Sequence, residues 1–299
     1  MKQRILITGG SGLLGEALVR RLCSSHDIVA SYQTNEKQLP YGCGRSVKID
    51  LSQRELVLQL FKDQKFDIVI NCAGATAVDR CETDRNYAQH GNVDVVDNLI
   101  EAAQGAKFRL LQISTDYVFD GNDGPPTEQW KPNPINVYGT SKLVAEEKIS
   151  DSPISFSVLR VCALYSKSSS AKSNTLMSIL AALKSGSTYA AADDLYSNPT
   201  EVNDLAAAIE ILIAKPEIPR LLHLAPVEYL SRYEFALKVA EQTNSDPGLI
   251  RAAKVDDLNL AALRPKFAGL RSELAPAILN RELLSASQVL HDLKLPHNP

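Results

Sequence analysis

No stretch of this 299-residue chain is apolar for long enough to cross a bilayer as a helix, so a membrane-spanning role is not expected. Charge of one sign is also scarce as a pattern. Thirty-two Lys and Arg face 35 Asp and Glu, for a net charge of −3 without long runs. That balance removes the electrostatic case for a nucleic-acid partner or an acidic membrane surface. The five cysteines, Cys23, Cys43, Cys72, Cys81 and Cys162, are odd in number and lack the close paired spacing of a zinc site. They read as reduced thiols, and no metal is expected. The five histidines show no ligand spacing either, and His90 and His223 read as ordinary surface or core residues. Internal repeats and low-complexity tracts are absent. The first residues enter a strand without a signal peptide, so a cytoplasmic location is expected.

The beginning of the chain is informative. Arg4-Ile5-Leu6-Ile7-Thr8 reads as a buried strand, and a helical pattern starts at Glu16. Between them lies Gly9-Gly10-Ser11-Gly12-Leu13-Leu14-Gly15. Glycines at 9, 12 and 15 permit a tight turn, close approach of backbone to a pyrophosphate, and close packing of helix on sheet. The anion would lie at the helix N-terminus, near Leu13 and Leu14.

Strand-like runs recur at 28–32, 47–49, 67–71, 109–114 and 155–160, mostly separated by helical stretches. Such alternation implies a doubly wound α/β fold of Rossmann type, with a parallel sheet covered on both faces. Ser52 with Glu55 and Ser231 with Glu234 fit capping boxes. Beyond Arg160 the alternation fades into a polar stretch, residues 166–174. A dinucleotide-binding domain over 1–165 and a smaller substrate domain over 166–299 are therefore expected, with 198–225 returning to the first.

Ligands of open α/β sheets bind beyond the carboxyl ends of the strands. Those positions hold the glycine loop, Tyr32, Asp50-Leu51, Asn71-Cys72-Ala73-Gly74 and Ser114-Thr115-Asp116-Tyr117. The end of the second strand has no acid before Glu36, which leans towards NADP, with NAD still open. Tyr138 and Lys142 stand four apart, on one face of a helix, where an ammonium near a phenol would favour its ionised form. A hydride donor beside Tyr138 would allow carbonyl reduction, with the phenol as proton donor and Thr115 orienting the carbonyl.

These motifs together resemble the extended short-chain dehydrogenases/reductases. The similarity is strongest to the branch that contains dTDP-4-dehydrorhamnose reductase and the regulatory β subunit of methionine adenosyltransferase. The runs that carry it are residues 8–15, 71–74, 77–82, 114–121, 138–142 and Leu159-Arg160. The resemblance implies Thr115, Tyr138, Lys142 and Asn92 as catalytic residues, with Lys142 holding the nicotinamide ribose and depressing the tyrosine pKa. It implies a cofactor cradle of Gly9, Gly12, Leu13, Leu14, Gly15, Tyr32, Asp50, Leu51, Cys72, Ala73, Gly74, Tyr138 and Lys142. Thr76, Val78, Asp79, Tyr117, Phe119 and Asn174 fall on the implied substrate side.

The implied substrate is a small molecule, a nucleotide sugar, reduced at its 4-keto group; a homodimer is compatible with the family. Tyr117 stands where sugar-nucleotide dehydratases place an acid, which argues against dehydration. Epimerisation, or a non-catalytic NADP-binding regulatory role beside a methionine adenosyltransferase-like partner, remains the alternative. The chain departs from the rhamnose-forming enzymes at Ala163, where they carry tryptophan, and at Ser197, where glycine is usual. The family's late Arg-Pro motif falls at Arg264-Pro265 or at Ala275-Pro276. The single tryptophan, Trp130, reads as packing.

Overall fold

The computed structural model describes residues 2–34, 44–167, 174–291 and 293; Glu36 and Lys37, which bear on the NAD or NADP choice, lie outside them. The first half runs β1 (Arg4–Thr8), α1 (Leu13–Leu22), β2 (Asp27–Tyr32), β3 (Arg45–Lys48), α2 (Arg54–Asp63) and β4 (Ile68–Asn71). It continues with α3 (Val78–Thr83), α4 (Arg85–Ala88), α5 (Val95–Ala106), β5 (Arg109–Thr115), α6 (Val137–Ser150) and β6 (Ser155–Val161). Then follow β7 (Leu164–Tyr165), α7 (Thr175–Ser185), β8 (Tyr189–Ala192), β9 (Tyr196–Ser197), β10 (Thr200–Glu201) and α8 (Val202–Ile213). The last elements are β11 (Leu221–His223), β12 (Leu230–Ser231), α9 (Arg232–Gln242), β13 (Ile250–Ala253), α10 (Ala275–Leu279) and α11 (Ala286–Leu290).

Seven parallel strands form the central sheet in the order β11-β6-β5-β4-β1-β2-β3. The burial of β1 is that of an interior strand. Ile5, Leu6 and Ile7 are all fully buried, although successive side chains point to opposite faces. Ile5 and Ile7 join a cluster with α1 and α8, whereas Leu6 joins another with α2, α5 and α6. Helices thus cover both faces, which is the doubly wound arrangement that the alternation predicts. The strand order reverses between β1 and β4, opening a crevice at their carboxyl ends.

The late strand β11 pairs in parallel with β6, at the edge of the main sheet. A separate apolar cluster gathers Tyr165, α7, α9, Ile250 and α11. Short ladders β7 with β10, β8 with β13 and β9 with β12 frame that region.

Of the two expected capping boxes, the Ser231 and Glu234 pair forms. The Ser52 and Glu55 pair does not: α2 starts one residue later, with Gln53 at its N-cap. The Asp50 carboxylate takes both the Ser52 amide, at 3.0 Å, and its hydroxyl, at 2.7 Å, so the serine is engaged upstream of the helix.

Candidate active site

At the crevice, Thr8 and Asn71 stand opposite each other in the β1–β4 register. The Thr8 hydroxyl is hydrogen-bonded to Asn71 Oδ1 and accepts from the Ala73 amide at 3.1 Å. Asn71 Nδ2 donates to Gln112 Oε1 at 2.7 Å, which ties in β5. Gly9 follows with φ of 60°, and a Cβ there would lie 2.8 Å from the Ala73 nitrogen. Only glycine lets the loop lie this close to the end of β4.

Gly12 is the N-cap of α1 and supplies no side chain, so the first-turn amides of Leu13 and Leu14 remain for an anion. Tyr32 ends β2, Asp50 and Leu51 follow β3, Cys72, Ala73 and Gly74 follow β4, and the Leu51 carbonyl is fixed by Asn98 Nδ2 at 2.9 Å. Burial pushes the Cys72 thiol up to about 12, against the pull of Lys142, so this cysteine is a neutral wall rather than a nucleophile. A tight glycine loop, an anion-ready helix end and successive strand ends fit a dinucleotide.

The catalytic candidates come from β5 and α6. The Thr115 hydroxyl donates to Asp116 Oδ1 at 3.1 Å and accepts from the Tyr117 amide at 3.2 Å. Asp116 Oδ2 accepts from the Gly269 amide at 3.0 Å; burial nonetheless raises its carboxyl to about 6. Asn136 caps α6 by accepting from the Gly139 amide at 2.8 Å. A Cβ on Gly139 would lie 2.0 Å from the Tyr117 carbonyl oxygen. The bare glycine therefore sets α6 against the turn after β5, and the Tyr138 ring stands 5.8 Å from that of Tyr117, at 73°.

Lys142 Nζ donates to the Ile113 carbonyl at 2.7 Å. Burial lowers its pKa to about 8, although Glu146 and Cys72 favour the charge. Tyr138 differs from the expectation of a depressed phenol. Burial raises its pKa, Thr115 lowers it, and Asp116, Tyr117 and Cys81 raise it further. The ammonium is turned to a backbone carbonyl and does not offset the cost of burying a phenolate. A raised pKa keeps Tyr138 protonated at neutral pH, the form a proton donor needs.

Asn92 lies in a π-helical turn, Gln89–Asp94, ahead of α5. Its Oδ1 accepts from the Ala75 amide at 2.9 Å, and its Nδ2 donates to the Ala75 carbonyl at 3.2 Å and to Ser141 Oγ at 2.9 Å. Ser141 in turn donates to the Tyr138 carbonyl at 2.7 Å. Asn92 thus clamps the loop after β4 to the helix that carries Tyr138 and Lys142.

Sequence patterns did not reveal the network behind Lys142. Glu146, one turn further along α6, accepts from Arg160 Nε and Nη2, the latter at 2.6 Å, and from the Ser114 hydroxyl. Glu146 and Arg160 are 6% and 3% exposed, so the pair is shut off from water. His223 is buried beside it, with Nε2 3.4 Å from Arg160 Nη1; burial depresses its pKa to about 4. The helical spacing from Lys142 to Glu146 was visible, but its partner arrives from β6.

The implied substrate residues are distributed unevenly. Val78 and Asp79 open α3, Thr76 precedes them on the surface, and Tyr117 adjoins Tyr138. Asp79 accepts from Arg264 Nη2 at 2.7 Å and from the Ala262 amide at 3.1 Å. Burial pushes its carboxyl up, but these bonds together hold it below the usual range. Arg264-Pro265 thus lies on this side of the molecule, whereas Ala275-Pro276 opens α10 against the α8 cluster. Phe119 lies in a buried cluster, with the Arg160 guanidinium 5.1 Å from its ring centre. Asn174 caps α7 by accepting from the Met177 amide. Trp130 is 44% exposed and does not pack as expected. The two departures, Ala163 and Ser197, line one cleft with Tyr165 and Arg232.

Among the described residues, no cluster of three or more His, Cys, Asp and Glu could hold a metal, and no helix is long and apolar enough to cross a membrane. The four described cysteines are free thiols; Cys43 lies outside the described residues.

The chain is similar to mouse methionine adenosyltransferase 2 subunit beta, at 28% identity over 90% of this chain and 80% of that protein. It is also similar to a Haloferax volcanii protein named "Probable low-salt glycan biosynthesis reductase Agl14", at 30% identity over 96% of this chain and 94% of that one. Its fold matches the crystal structure of dTDP-4-dehydrorhamnose reductase from Bacillus anthracis in complex with NADP. The TM-score is 0.85, at 27% identity over 97% of this chain and 98% of that one. Residues 2–292 match the RmlD substrate binding domain, and the chain belongs to that family.

Proposed function

We propose that the protein is an NAD(P)H-dependent reductase of a carbonyl, the 4-keto group of a nucleotide-linked deoxysugar. The observation that carries this reading is the convergence of Thr115, Tyr138 and Lys142 at the carboxyl edge of the sheet, beside the glycine loop. Family membership and likeness to a dTDP-4-dehydrorhamnose reductase of known structure support it. When bound, the dinucleotide supplies the hydride; NADP is favoured by the absence of an acid over residues 30–35.

The remaining work falls to side chains. Tyr138, kept neutral by burial, gives its proton to the carbonyl oxygen as charge builds there. Thr115 orients that oxygen once its hydroxyl turns from Asp116. Lys142 supplies a positive charge on the cofactor side, and Asn92 holds the helix in register through Ser141. Residues 1–165 with 198–225 are assigned to the dinucleotide-binding part and the rest of 166–299 to the substrate part, supported by the pairing of β11 with β6.

Tyr138→Phe should lower kcat on a 4-ketosugar by about 10²- to 10⁴-fold, the usual worth of a positioned general acid, with NADPH affinity nearly unchanged. Full activity in that variant would refute the assignment. The likeness to the mouse β subunit supports a second reading, a dinucleotide-binding regulatory subunit. Co-purification with a synthetase, together with no NADPH oxidation across a ketosugar panel, would favour it.

A further inference from the structure

Residues 259–271 form no helix and meet a strand only where Phe267 pairs with Tyr196. The segment is nonetheless fixed at several points, by bonds to its backbone from side chains and turns far earlier in the chain. Asp79 accepts from the Ala262 amide at 3.1 Å, and Asn136 Nδ2 donates to the Leu263 carbonyl at 2.9 Å. The Gly121 carbonyl accepts from the Phe267 amide at 3.0 Å, and Asp116 accepts from the Gly269 amide at 3.0 Å. Leu263 is 68% exposed, so burial of its side chain is not what holds this part down. The segment is a strap laid over α3, the start of α6 and the turn after β5.

Asn136 differs from the other anchors because both ends of its amide are used. Its Oδ1 caps α6 through the Gly139 amide at 2.8 Å, next to Tyr138, while its Nδ2 holds the strap. Capping needs only an acceptor, which Ser or Asp supplies equally well. The donor is what asparagine adds. Asn136 is 5% exposed, so without the Leu263 carbonyl that donor would be buried and unsatisfied.

The bond also closes a triangle. From α3, Asp79 reaches the strap and Glu82 reaches α6, accepting from the Val137 amide at 3.0 Å. The strap returns to α6 through Asn136. Three elements joined pairwise keep one relative position, whereas opening one side leaves a hinge. Misplacing a reacting group by about an ångström costs on the order of 10²-fold in rate.

We propose that Asn136 is a positioning residue for the reduction: through its bond to Leu263, the strap sets where α6 presents the Tyr138 phenol. The assignment rests on the reductase reading. It makes the seating of the strap a determinant of turnover and not of cofactor binding.

Two variants separate positioning from capping. Asn136→Ser keeps an acceptor for Gly139 but is too short to reach Leu263, whereas Asn136→Ala loses both bonds. NADPH oxidation with dTDP-4-dehydrorhamnose should show kcat lowered about tenfold in each, with KM for NADPH unchanged. The urea midpoint should fall in Asn136→Ala alone. Arg264→Met, which loosens the strap at Asp79, should lower kcat to a similar extent. Combined with Asn136→Ser it should be no slower than the slower single variant, because both act through one connection. Wild-type kcat in Asn136→Ser would reduce the residue to a helix cap, and losses that multiply in the double variant would show independent effects; either overturns the proposal. Hydrogen exchange of the 262–269 amides is measured in parallel and should quicken severalfold in Asn136→Ser. Quickened exchange in a protein that turns over no ketosugar would spare the tie and sink the reductase reading, whereas turnover with unchanged exchange would do the reverse.

Discussion

Glu146→Gln tests whether the buried pair behind Lys142 is structural, electrostatic or both. Glu146 receives Arg160 Nε at 3.0 Å and Nη2 at 2.6 Å, and neither residue is more than 6% exposed. The substitution preserves shape but leaves the Arg160 charge buried without a counter-ion. Breaking such a pair costs about 3–5 kcal/mol, and the lower end applies here because Gln keeps one acceptor oxygen. Urea unfolding followed by circular dichroism should show a loss of about 3 kcal/mol with an unchanged m-value. Glu146→Leu combined with Arg160→Met should be less destabilised than Glu146→Gln, since no orphaned charge remains. Glu146 also favours the charged form of Lys142, so the alkaline limb of the NADPH-oxidation profile should move to lower pH in Glu146→Gln. A loss below about 1 kcal/mol with no movement of that limb would refute the reasoning.

Other consequences can be checked with equally simple measurements. Lys142 titrates at about 8 in the folded chain and near 10.5 when unfolded. As pH rises through 8, kcat/KM should fall with loss of the ammonium. Its contribution to stability should rise over the same pH 8–10.5 window, because the unfolded chain then binds the extra proton. His223 has the acid-side counterpart, with a folded pKa of about 4 against 6.5. It contributes stability above pH 6.5 that is lost as pH falls towards 4, on the order of 3 kcal/mol from the shift. Asp116, raised to about 6, opposes that trend in the parent. His223→Gln should therefore gain stability relative to the parent as pH falls from 6.5 to 4, read from urea midpoints; a constant difference across that range would contradict the burial argument. Gly9→Ala should lose about 2 kcal/mol or more and most NADPH affinity, because its Cβ would meet the backbone of Ala73 at a positive φ. Wild-type affinity by fluorescence titration would overturn that view of the loop.

The sequence alone determined the features that depend on local period and on residues close in the chain. Alternating apolar runs specify strands buried on both faces, and the case of Ile5, Leu6 and Ile7 shows that such a run needs helices on two sides. The glycine loop, the Ser231 box and the four-residue step from Tyr138 to Lys142 were legible for the same reason. Tertiary structure decided what depends on groups far apart in the chain. Asp50 diverted Ser52 from its capping role. Burial raised the Tyr138 phenol that helical spacing alone would lower. Arg160, Arg264 and Gly269 reach Glu146, Asp79 and Asp116 from 14, 185 and 153 residues away. Desolvation and ion pairing are properties of the packed neighbourhood, so no spacing rule shows that Arg160 has a buried carboxylate beside it.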